Sequence, residues 1–441
     1  MTGDHHEDGL VVRATEGAAL ANLRAVLQLC ATRKLRCSAK TGLPGGASVA
    51  VVSQALVGGD FYPAEPISAF AWPLLVQAGG LAELAGGRLQ LTARGRAALT
   101  GPPAGTIASL WKRWVSNGVI DEFSQVEAIK GQRSVNALSA VKPRRQVVAR
   151  ALAACPPGEW VKVDDLFATM RRTGLNPRIA RNERALWRLY ISDPQYGSLG
   201  YDGFHDWSLL EGRYTLAVIF EYAATLGLVD VEYTDPAGAR DDYRDNWGAD
   251  DLDFISRYDG LLAVRLNALG GYALGLTDGY EPADRGAVAG SLTVLPNRDI
   301  VATADLAPAD RLLLSAYAEQ TSDRVWTLDT GTLLAAIDSG RQVEELTSFL
   351  SAASRHELPP AVTAVIADAA ARAQQLTDRG VCRIIECADP ALATLIARDR
   401  IAGTRCTRLG DRHLAIPADA EPDFRKAVRK LGYVLPAEHQ A

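Results

Sequence analysis

Glycine and proline cut this chain into short pieces, and that punctuation limits what it can build. Gly42-Leu-Pro-Gly-Gly46, Gly58-Gly59, Gly79-Gly80 and Gly101-Pro-Pro-Ala-Gly105 interrupt its first part. Glycine admits left-handed backbone and proline removes a donor, so helices and strands end at such breaks. No window between breaks approaches eighteen uncharged apolar residues, which predicts no membrane span. The polar start, Met1 to Asp8, does not suit a signal peptide. Short elements spread over 441 residues predict two to four compact domains.

The order of the pieces predicts their class. Leu20, Leu23, Leu27 and Cys30 form one apolar stripe, predicting a helix over 14–35. Another is expected over 66–77, then two strands around Gly86-Gly87 and a helix over 93–99 capped by Thr92. Helices followed by a hairpin outline a winged helix, assigned to 1–105, with the segment 101–105 as linker. A second such outline is assigned to 106–285. It has a helix opened by Lys142-Pro-Arg-Arg145, a helix from Asp164 to Arg172, and one from Asn176-Pro177 to about Tyr190. An apolar helix over 213–226 follows, then strands over 229–233 and 261–266 as a long wing around an acidic loop. From 290 to 436, short strands alternate with helices, which predicts a compact α+β module. The expected fold class is therefore α+β and multidomain.

Several motifs in this last part form a pattern: Leu292-Thr-Val-Leu-Pro-Asn-Arg-Asp-Ile-Val301, Leu306-Ala-Pro-Ala-Asp310, Asp323-Arg-Val-Trp-Thr-Leu328 and Leu346 through His356 before Leu358-Pro-Pro360. Together with Ala388-Asp-Pro-Ala-Leu392 and Leu431-Gly-Tyr433, they resemble the helicase-associated domain at the N-terminus of XPB-type DNA helicases. The resemblance covers about 290–435. It implies winged helices ahead of this domain, and a partner-docking surface on 381–397 and the 404–416 hairpin. Such a helicase also needs a Gly-x-x-x-x-Gly-Lys-Ser/Thr loop, whose backbone amides and lysine hold nucleotide phosphates. None of the eight lysines stands in that setting, and no acidic run resembles a Walker-B strand. The domain is expected to occur here without its ATPase.

Other chemistries find no footing. A restriction-like nuclease places an acidic residue two positions before a lysine, and no lysine here has one. His205-Asp206 has only His5 and His6 before it as histidine partners, so a metal role is not expected there. Cys382 and Cys387 are five apart in an expected strand and diverge, so with Cys406 they are taken as structural thiols rather than zinc ligands. No Gly-x-Ser-x-Gly elbow occurs. Neither a catalytic residue, a metal, a cofactor nor a small-molecule substrate is expected. Six scattered cysteines do not make a disulfide framework, which suits a soluble cytoplasmic protein.

Charge is more informative. The net charge of −5 hides two opposed blocks. Residues 133–190 carry twelve basic against four acidic residues, and 191–260 carry four against fifteen. On the helix expected from Asn176, Arg181, Arg184 and Arg188 share one face with Arg178 beside them, a row of guanidinium groups suited to phosphates. Arg171, Arg172, Arg144 and Arg145 are expected to extend it. The competing readings are a solvated face, or an internal partner for the acidic block. By contrast, the segment 66–77 has no Lys or Arg, and 213–226 has only Arg213. A groove-reading helix without cations forgoes phosphate attraction, so these helices suit protein contacts. The expected function is a non-enzymatic accessory subunit. It would bind a helicase, other ATPase or nuclease subunit in trans, and DNA through the arginines, in bacterial DNA repair or phage defence. The alternatives are a winged-helix transcription regulator and a pure assembly scaffold.

Overall fold

Two runs of branched and aromatic residues, Val229–Tyr233 and Leu261–Leu266, suit a pleated, buried surface. In the computed structural model, which describes residues 9–118, 120–201, 207–281 and 290–436, they pair antiparallel with Val231 opposite Val264. Val11–Arg13 adds to one edge and Trp160–Lys162 to the other, giving a four-stranded sheet. The sheet thus takes strands from both sides of the boundary expected near residue 105. Thr15 fastens the join: its N–H donates to Asp230 Oδ1 at 3.1 Å, and its hydroxyl to the Val229 carbonyl at 2.7 Å. The helix Glu16–Ala31 leads directly from this anchor. One hydrophobic core runs from Ala19 to Leu269 and includes Ala309, so 1–105 does not close a core of its own.

Locally, much of the expected pattern is present. The hairpin Ala82–Ala85 with Arg88–Leu91 turns at Gly86-Gly87, both at positive φ. Thr92 caps Ala93–Thr100 by accepting from the Gly95 N–H at 3.1 Å. The expected linker is shorter than proposed, because Pro103 opens the helix Pro103–Ser116, where its missing N–H costs nothing. Both helices expected to suit protein contacts lie in the core. Ser68–Ala78 buries Trp72, Leu75 and Val76. The α-helical Arg213–Ala217 continues wide π-type turns at Ser208–Gly212 and Val218–Ala224, all of them buried. Burial accounts for their shortage of cations, and the one present, Arg213, is paired. The acidic wing also folds inward: Asp259 grips buried Arg213 through two 3.1 Å hydrogen bonds, joined by Asp242 at 2.6 Å.

The fold is mixed α+β and multidomain, with several small sheets. Contacts divide it into residues 1–367 and 368–441, so the stretch 285–290 between two expected domains is not where they part (of it, only Gly290 lies within the described residues). A buried polar network explains why. Gln28 donates to Glu345 at 2.7 Å, Arg341 donates to Gln28 at 2.6 Å, and the Tyr317 hydroxyl donates to Glu345 at 2.8 Å. Breaking it would strand buried polar groups. The same unit holds the four-stranded antiparallel sheet Glu319–Ser322, Val325–Thr327, Asp299–Ala302 and Leu292–Val294. The second unit has a three-stranded sheet, with His413–Pro417 between Cys382–Glu386 and Thr407–Leu409, over a core that includes Leu414, Ile416, Phe424 and Val428. No helix among the described residues is long and apolar enough to cross a membrane.

Candidate nucleic-acid interface

The eight arginines expected to form one patch divide into two that are buried and six that are exposed. Arg144 and Arg145, on the helix Val141–Ala153, are buried. Arg144 pairs with Asp121 at 2.6 Å and lies over the Tyr214 ring at 4.9 Å. Arg145 pairs with Glu122, which is wholly buried, and donates to the carbonyls of Asn117 and Ile120 at 2.7 Å each. Burial pushes the Glu122 carboxyl up, while the guanidinium of Arg145 pulls it back down. These two arginines hold the interior together, so they do not extend a surface. Charge in a sequence does not reveal burial when a partner is supplied from a distant turn.

The segment around Arg178 and Arg181 is not the expected helix. Only Glu183–Leu186 is helical, capped by Asn182. Residues 179–181 are held extended by tertiary hydrogen bonds. The Ile179 N–H donates to Glu211 at 3.0 Å, its carbonyl accepts from Ser139 at 2.9 Å, and the Arg181 N–H donates to the Ala137 carbonyl at 3.0 Å. With its backbone groups engaged there, the segment cannot form helical bonds. The row of guanidinium groups expected from the helical wheel is therefore replaced by a folded loop surface.

That surface still exposes Arg171, Arg172, Arg178, Arg181, Arg184 and Arg188. Arg178 and Arg184 line an open cavity of about 680 Å³ with Asn176, Asn182, Trp207 and Glu211. Arg171, near the C-terminal end of Val163–Arg172, lies 5.9 Å from the Trp207 ring. Trp207 in turn donates to Asn176 at 3.2 Å. Arg181 and Arg188 reach the neighbouring loop, donating to Asn136 and to the Val135 carbonyl. Gly131 permits that approach: its φ is +81°, and a Cβ there would collide with the Arg188 carbonyl. Arg172 donates to Thr169 at 3.3 Å and stands apart from the cavity.

Ion pairing bears on where the acidic block spends its charge. Its paired carboxylates take arginines from their own stretch or just beyond it: Asp242 and Asp259 on Arg213, Asp242 also on Arg240, and Asp230 on Arg265. Among the described residues, none of the six exposed arginines has a carboxylate partner within 4.0 Å. Elsewhere, a cavity of about 850 Å³ is lined by Arg33, Arg96 and Arg341 together with Glu83 and Glu345. Its mixed charge, with Arg341 and Glu345 already paired at 3.3 Å, favours no single ligand sign.

The positions considered for metal chemistry can be placed in part. His5, His6, His205 and Asp206 lie outside the described residues. Cys387 is buried and Cys382 and Cys406 half-buried, all three as free thiols. Burial raises the Cys387 and Cys406 thiols above their ordinary range. Sequence reasoning missed the exposed aromatics among the arginines: Trp187, Tyr196 and Tyr201. The signal was the interleaving of Arg184, Trp187 and Arg188, which helical-wheel logic treats as charge alone.

Comparison with known proteins places one region of the chain. A protein-family profile described as helicase conserved C-terminal domain matches residues 292–410. No curated protein matches the chain. The match spans the sheet from Leu292 to Thr327 and the strands up to Leu409, and it supports a helicase-associated domain in that part.

Proposed function

We propose that this protein is a non-enzymatic accessory subunit. It would bind a helicase or nuclease partner in trans, and DNA through the exposed arginines, in bacterial DNA repair or phage defence. The observation that carries this is a helicase C-terminal-domain match at 292–410 within 441 residues that contain no phosphate-binding loop. A motor-associated domain without a motor's nucleotide chemistry acts on a motor by contact. The XPB-type resemblance and the winged-helix outline point the same way, towards an auxiliary module of a DNA-remodelling machine.

The six exposed arginines support the DNA part, because among the described residues none has a carboxylate within 4.0 Å, and Arg178 and Arg184 line an open cavity. Phosphate binding releases counterions, so affinity should fall steeply with salt, with about one unit of log–log slope for each arginine that neutralises a phosphate. The test is the triple variant Arg181→Glu, Arg184→Glu, Arg188→Glu, measured by fluorescence anisotropy at several salt concentrations. Binding should disappear while the melting temperature holds. Unchanged affinity would assign the patch to a protein partner, which is the scaffold alternative.

A further inference from the structure

We infer that the arginine patch takes single-stranded nucleic acid, stacking a base on Trp187, rather than gripping a duplex. This rests on the proposed role of the patch in nucleic-acid contact and names the form it would take. Trp187 follows directly on the helix Glu183–Leu186, with Arg184 and Arg188 on either side in the chain. Its side chain is 53% exposed. A large apolar ring left in water amid cations is a costly arrangement unless something covers it.

The ring is held in place. The Gly200 backbone lies against it so closely that a Cβ at Gly200 would meet indole atoms at 2.4–2.8 Å. Tyr201 meets it edge-on, with centroids 4.8 Å apart and planes at 71°. The backbone is clamped as well: the Leu199 N–H donates to the Leu189 carbonyl at 2.9 Å, and Ser198 Oγ to the Trp187 carbonyl at 3.3 Å. A fixed ring with solvent-facing surface is a stacking platform. Tyr196, 59% exposed, is a further open aromatic in the turn that follows in the chain.

The charges around it suit a phosphate backbone. The segments 130–139 and 176–201 carry six cations (Lys130, Arg133, Arg178, Arg181, Arg184 and Arg188) against only Glu183 and Asp193. A protein-binding hot spot would also use Trp, Tyr and Arg, but its buried centre is poor in charge. Cations flanking an open aromatic ring are the arrangement that single strands use, because an unpaired base offers its π-face while its phosphates run past. In a duplex those faces are already stacked, so Trp187 would gain little from one.

The test uses the full chain and labelled oligo-dT, oligo-rU and duplex DNA of equal length, read by fluorescence anisotropy. The wild type should bind single strands more tightly than duplex, and the two single-stranded probes separate DNA from RNA preference. Trp187→Ala should weaken single-strand binding by roughly 5- to 150-fold, the fold-change for about 1–3 kcal/mol of stacking, and leave duplex binding unchanged. Trp187→Phe should retain most of the affinity. Gly200→Ala, which pushes the ring off its seat, should resemble Trp187→Ala. If Trp187→Ala lowers neither affinity, or lowers both equally, while charge reversal at Arg184 and Arg188 abolishes binding, stacking is overturned and DNA contact survives. If the wild type binds no probe, or charge reversal also changes nothing, the nucleic-acid role itself fails and a protein partner takes its place.

Discussion

Replacing Arg145 by alanine separates structural from surface arginines. Arg145 is 1% exposed and pairs with a wholly buried Glu122, while its guanidinium also lies 4.3 Å from the Trp114 ring. Truncation leaves Glu122 without its cation and the carbonyls of Asn117 and Ile120 without their donor. Removing one partner of such a pair costs about 3–5 kcal/mol, because the remaining charge stays buried. Unfolding entropy is about 2.1 cal/mol/K per residue, so a unit the size of residues 1–367 should melt about 4–6 °C lower. Differential scanning calorimetry measures this directly. The double variant Arg145→Met, Glu122→Gln should recover most of the loss, because it removes both charges. Nucleic-acid affinity of the folded single variant should match the wild type. A variant that melts like wild type yet loses nucleic-acid binding would refute the placement of Arg145 in the interior.

Further outcomes follow from other parts of the structure. Burial raises the Glu221 carboxyl to about 8, and the Tyr258 hydroxyl donates to it. The folded chain therefore keeps a proton that the unfolded chain loses above its ordinary value of roughly 4.3, so this group's stability is full below that pH. It is lost as pH rises towards 8, by up to ~1.4 kcal/mol per pH unit. Glu221→Gln should flatten that decline, and denaturant melts across pH 4–8 would show it; a variant whose pH profile parallels wild type would contradict it. Fragment 286–441 lacks Gln28 and so loses the partner of Arg341 and Glu345. It should melt less cooperatively than the full chain in thermal scans, whereas fragment 368–441, with its own core, should stay folded. Equal cooperativity of 286–441 and the intact protein would argue against the Gln28 network as a structural tie.

Local signals in the sequence were readable where the chain satisfies itself locally. The strands 229–233 and 261–266, the Gly86-Gly87 hairpin and the Thr92 cap follow from side-chain pattern, turn chemistry and one hydroxyl. Long-range partners were not readable. The helix expected at 176–190 gave way because Ile179 and Arg181 bond to Glu211 and Ala137 instead of their own turns. Arg144 and Arg145 look like any exposed pair until Asp121 and Glu122 are placed against them. The contacts that cross residues 105 and 285 were unreadable for a related reason. Val11–Arg13 pairs with Val229–Tyr233, and Gln28 bonds to Glu345, across hundreds of residues of chain. The candidate site was legible as charge but not as shape, and Trp187 entered only once the loop was seen to fold.

The proposed accessory role is tested most directly by isolating the full-length protein from its own host cells and assaying DNA-stimulated ATP hydrolysis. The measurement is made on the co-eluting complex and again on the protein after its partners are stripped away. We expect activity in the complex and none in the stripped protein, because no phosphate-binding loop occurs in these 441 residues. Metal-dependent turnover that stays with the stripped, folded chain through stringent purification would contradict the proposal and make this protein an enzyme in its own right.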